Sequence, residues 1–76
     1  MIHEHDRVVL TSDLETLGLK SGDVGTIVHI YGGGSAYEIE FVSLNGEASL
    51  VATVEASKVR PVQNNEFAHA RHRTHS

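Results

Sequence analysis

Histidine is the residue whose number and spacing could first do chemistry: six stand among the 76 residues. His3-x-His5 on an extended segment would turn two imidazoles to one side. His69, His72 and His75, three apart, would line one side of a helix, and either set offers the nitrogen donors that zinc or nickel accepts. Neither set has a carboxylate placed to orient the rings, and ordering three histidines of a polar terminal segment around an ion is costly. Solvated side chains are therefore the expectation, and metal binding through the tail ranks third among the functional readings. His29 has no nearby serine, cysteine or second base and completes no catalytic set. Glu38 and Glu40 would share one face of a strand about 7 Å apart, near the span of glycosidase carboxylate pairs. A barrel this small offers no cleft to raise one carboxyl's pKa. The sequence thus predicts a non-enzyme that needs no cofactor.

Charge narrows the partner classes. Residues 1–63 hold nine acids against Arg7, Lys20, Lys58 and Arg60. Affinity for a phosphate backbone rests on lysine and arginine displacing counterions, so an acidic domain argues against nucleic acid as the main ligand. An RNA- or ribosome-associated module stays as the alternative, by analogy of fold alone. Tryptophan is absent, which removes the usual platform for proline-rich peptides. A protein-facing role remains. Asp23, Glu38, Glu40 and Glu47 could steer association with a basic partner, while strand pairing at the Val59-to-Val62 edge, or docking of Phe67, could build a homo-oligomer. Cysteine is absent, so no disulfide or thiolate-bound zinc staples the fold. No window approaches 18 consecutive apolar residues and no basic segment precedes an apolar run. A cytoplasmic protein without membrane contact is expected.

The elements that must position these groups are short strands. Arg7-Val8-Val9-Leu10 reads as a first strand. Ser12 or Asp13 then offers a cap for one helical turn, in which Leu14 and Leu17 would plug an open barrel end before Gly18 stops it. Gly22-Asp23-Val24-Gly25 predicts a tight turn at which both glycines supply angles a Cβ would forbid, feeding a strand from Gly25 to Tyr31. On that strand His29 would alternate with Ile27 and Tyr31. Gly32-Gly33-Gly34-Ser35 reads as a hairpin tip and not a phosphate loop, because no helix or Lys-Ser pair follows. Tyr37, Ile39 and Phe41 alternate with Glu38 and Glu40, apolar in and acid out. Asn45-Gly46 predicts a type I′ turn. Leu50, Ala52 and Val54 should face inward on the fourth strand, Ser49 to Val54. Glu55-Ala56-Ser57 predicts a 3₁₀ turn before a last strand, Lys58 to Val62, whose Pro61 belongs at an edge.

Together these predict an all-β fold: a small SH3-like barrel of about five antiparallel strands over residues 1–63. It has one short helical turn after the first strand and a 3₁₀ turn before the last. Residues 64–76 form a polar His/Arg-rich tail, expected to be disordered or to order only against a second chain.

Asp6-Arg7-Val8-Val9-Leu10, Asp13-Leu14, Leu17-Gly18-Leu19, Gly22-Asp23-Val24-Gly25-Thr26, Tyr37-Glu38-Ile39-Glu40-Phe41 and Val59-Arg60-Pro61 resemble the pattern of a family of very small bacterial proteins known only as a domain of unknown function. The resemblance covers residues 2–62 and implies a stand-alone SH3-like barrel with no assigned catalytic or binding residues. It also implies a gene beside another small gene, as in toxin–antitoxin or immunity pairs. The expectation is a non-catalytic protein-binding module or partner subunit with an acidic face, the neutralising member of a two-gene pair being one form of it.

Overall fold

β-branched and aromatic residues dominate the two long central strands, Val24–Tyr31 and Ala36–Val42, and turn residues separate the extended segments. The computed structural model describes residues 2–63, so the tail with Phe67, His69, His72 and His75 lies outside the described residues. The strands are β1 (Arg7–Leu10), β2 (Val24–Tyr31), β3 (Ala36–Val42), β4 (Ser49–Glu55) and β5 (Val59–Pro61). They form one antiparallel sheet in the order β4-β3-β2-β1-β5. Single 3₁₀ turns occupy Glu15–Leu17 and Ala56–Lys58, the second leading directly into β5. Among the described residues no helix is long and apolar enough to cross a membrane.

One face of the curled sheet makes the core: Val8 and Leu10 from β1, Ile27 from β2, Tyr37, Ile39 and Phe41 from β3, Ala52 and Val54 from β4, and Val59 from β5. Ile2, Leu14, Leu19, Ile30 and Ala56 pack around it. The inward positions expected on β3 and β4 are the observed ones, because period-two alternation places every second side chain on the same face.

Several local expectations are corrected. Gly22 has φ 96 and turns the chain between the carbonyl of Lys20 and the amide of Asp23, which are hydrogen-bonded at 3.0 Å. Gly25 has no such angle. It is glycine because a Cβ there would collide with Ile39 Cγ2 and lie 2.9 Å from the Phe41 ring. The Asn45-Gly46 turn is not type I′, since Gly46 has φ 74 but Asn45 stays out of the left-handed region. Gly46 N instead donates to the Ser43 carbonyl and the Asn45 side chain accepts from Glu47 N, a four-residue loop built on an ordinary turn.

Neither Ser12 nor Asp13 caps the first 3₁₀ turn; Leu14 precedes it, and the Asp13 carboxylate accepts from Ser21 N at 2.8 Å. Leu14 packs on the core, but Leu17 is exposed and plugs nothing. His3 and His5 do not share an extended segment. His5 takes φ 73 in a turn, and Asp6 Oδ2 accepts from His3 N at 2.8 Å and lies 3.7 Å from Nδ1 of the His3 ring, so a carboxylate does stand beside one of the two rings.

β2 contains the consequential irregularity. Ile27 stands opposite Ile39 but His29 stands opposite Glu38, so Val28 is an extra residue and the alternation reverses after it. Ile30 then meets buried Tyr37 on the core side, and His29 and Tyr31 emerge on the outer face. His29 does not share a face with Ile27.

Candidate functional site

Cross-strand register defines the outer face row by row. Arg7, Thr26, Glu40 and Val51 stand abreast across β1 to β4, and His29, Glu38 and Thr53 make a second row. The bulge therefore brings a histidine and a tyrosine beside the expected acid pair. Tyr31 donates its hydroxyl to Glu38 Oε1 at 3.2 Å, and the His29 ring packs edge-on against Tyr31 with centroids 4.4 Å apart. The hydrogen bond to the Glu38 carboxylate, with slight desolvation and the carboxylate's charge, raises the Tyr31 pKa above its ordinary 10.0. Glu40 lies across from Thr26 and Val51 and makes no ion pair among the described residues.

A larger feature lies at the β3–β4 hairpin end. There a cleft of about 330 Å³ is lined by Leu19, Val24, Phe41, Val42, Leu44 and Leu50, with Asp23, Ser43, Ala48 and Ser49 also lining it. Leu44 is 79% exposed and Val42 54%, so the apolar lining continues onto the surface. A second hollow of about 220 Å³ shares Val24, Val42 and Leu44 and adds Arg7, Thr26 and Glu40. Such a shape suits burial of an apolar side chain, with the polar groups at its rim fixing orientation.

The four acids expected to act together are divided by the fold. Asp23 lines the cleft, but one carboxylate oxygen already accepts from Lys20 N at 2.9 Å, so it also holds the turn. Glu40 lines the adjoining hollow. Glu47 rides the exposed hairpin loop between Leu44 and Ala48, both of which line the cleft. Glu38 belongs to the Tyr31 and His29 cluster instead.

Alternation alone escaped Val42, Leu44 and the cleft. The signal was present as Leu44, a large apolar residue beside the loop dipeptide Asn45-Gly46, where burial is not available. Among the described residues no group of three or more histidine, cysteine or acidic side chains could hold a metal ion. His69, His72 and His75 lie outside them.

Residues 4–61 match the model of a family described as a domain of unknown function (DUF4926). No curated protein and no solved structure matches the chain.

Proposed function

The chain belongs to the DUF4926 family, and from that premise we propose that it is a non-catalytic protein-binding module of the SH3-like kind. Its cleft between Leu19 and Leu44 receives an apolar side chain of a basic partner. The observation that carries this reading is the exposed Leu44 and Val42 surface continuous with a 330 Å³ apolar cleft, which Asp23 lines, with Glu40 in the adjoining hollow and Glu47 next in sequence to the lining residue Ala48. Exposed apolar surface with a charged rim is the composition of a contact site: the centre supplies burial, and the charges supply steering and choice of partner. The strand order β4-β3-β2-β1-β5 and the 3₁₀ turn ahead of β5 support the SH3-like reading. An antitoxin or immunity protein that covers a basic active surface is the specific form this module would take in a bacterial cytoplasm.

The test is capture of a stoichiometric basic partner by the tagged protein, followed by titration calorimetry with wild type, Leu44→Ser and the pair Glu40→Lys with Glu47→Lys. Binding should weaken with added salt. It should fall at least tenfold in each variant while circular dichroism stays unchanged. Undiminished affinity in both variants sinks the reading, and retention on RNA in place of a basic protein transfers it to the nucleic-acid alternative.

A further inference from the structure

The two edges of the sheet are unequal. β5 is three residues long and ends in Pro61, which has no N–H to offer a neighbour. β4 is seven residues long, Ser49-Leu50-Val51-Ala52-Thr53-Val54-Glu55, with no proline, lysine or bulge. Natural edge strands normally carry such devices to prevent pairing with another chain.

The ladder shows which backbone groups on β4 are unsatisfied. Ser43 N donates to the Ala48 carbonyl at one end of the hairpin, and Ala56 N donates to the Ser35 carbonyl at the other. In an antiparallel pair the bonded residues alternate, so Leu50, Ala52 and Val54 bond to β3 between these ends. The N–H and C=O of Ser49, Val51, Thr53 and Glu55 point away from β3, and no hydrogen bond reaches them among the described residues.

We propose that β4 pairs antiparallel with β4 of a second copy, about a two-fold axis at Ala52, to make a continuous sheet through two protomers. This register uses every free group of the strand. Ser49 pairs with the second copy's Glu55 and Val51 with its Thr53, each pair exchanging two backbone bonds, and the reciprocal pairs follow by symmetry. Side chains agree with it. On the core side half-buried Leu50 meets Val54 of the second copy and Ala52 meets its counterpart, while on the outer face Val51, 49% exposed, meets Thr53. No like charges stand opposite each other. Glu40, next to Val51, and the second copy's Glu38, next to Thr53, are three strand spacings apart, about 14 Å, which is beyond the Debye length in physiological salt. A second copy fits this edge because the strand is its own complement in length, polarity and hydrogen-bonding parity.

Light scattering across a dilution series should give twice the 8.3 kDa chain mass, falling to one on dilution. Amide exchange in the dimer should protect Val51 and Thr53 as well as Ala52 and Val54. Thr53→Pro removes an N–H that bonds nothing within the chain, and Val51→Lys adds an edge charge without touching the β3 ladder. Either variant, folded by circular dichroism, should be monomeric with wild-type core amide protection. A wild-type monomer with fast-exchanging Val51 and Thr53 amides overturns the proposal, whether or not some other protein's strand adds there. So does a dimer that survives both substitutions. Leu44→Ser, which tests the cleft, should leave this dimer intact, so the two readings fail separately.

Discussion

The β1–β5 side of the sheet and the β3–β4 hairpin use similar residues to opposite ends. On β1, Val8, Val9 and Leu10 are all buried to within 1% of complete coverage, although Val9 points away from the core cluster. Val24 and Arg60 of the adjacent strands stand directly on either side of it. On the hairpin, the outward valines Val42 and Val51 keep about half their surface in water. β1 is walled on both sides by β2 and β5, whereas Val51 lies on β4, which has a neighbour on one side only, and Val42 ends β3 beyond its last pair with β2, Thr26 opposite Glu40. The same β-branched residue is therefore structural in one place and available for contact in the other.

The largest effect should come from the position that joins the two regions. Gly25 on β2 lies under Ile39 and Phe41 of β3, so Gly25→Val should destabilise by about 3 kcal/mol or prevent folding, through overpacking and not backbone angle. Urea denaturation measures it, and a cost below about 0.5 kcal/mol, the size of an ordinary surface substitution, would show that the contact relaxes freely.

A matched pair of substitutions compares the two regions directly. Val9→Ala should cost about 2 kcal/mol by the burial it loses. Val51→Ala should stay within about 0.5 kcal/mol. Equal costs would mean that the outer face is uniformly covered in solution.

The smallest effect concerns Tyr31. Glu38→Gln removes the carboxylate that holds the phenol's proton, so the Tyr31 pKa should fall toward 10.0 in an NMR titration of its ring. A raised folded-state pKa contributes stability that is complete below the unfolded value and lost as pH rises through the folded one. Any contribution from this bond therefore disappears on the alkaline side, as pH rises through the raised Tyr31 pKa. An unchanged Tyr31 titration in the variant would mean that the bond is not populated.

Much of the fold was legible because alternation is a local property. Tyr37-Glu38-Ile39-Glu40-Phe41 specifies its buried face without reference to any other strand, and the hairpins and the 3₁₀ turn before β5 are marked by their own residues. The bulge at Val28 was not legible. Val28-His29-Ile30 reads equally well in either phase, and the choice is made by where Tyr37 and Glu38 fall on the partner strand. Asn45 escaped for a similar reason. Its dipeptide favours a two-residue turn, but Ser43 and Ala48 close the ladder and leave four residues to bridge.

Composition and periodicity by themselves determined an all-β, acidic, cysteine-free domain with its core residues assigned to inner faces, because hydrophobic burial acts on each strand's own pattern. The tertiary structure alone decided that Gly25 is small to admit Ile39 and Phe41, that His29 and Tyr31 join Glu38, and that Asp23 lines an apolar cleft and Glu40 the hollow beside it while Glu38 does neither. It also decided that β4 and not β5 is the longer open edge. Each of these depends on register and sheet order, which bring together residues far apart in the chain and so cannot be read from any single segment.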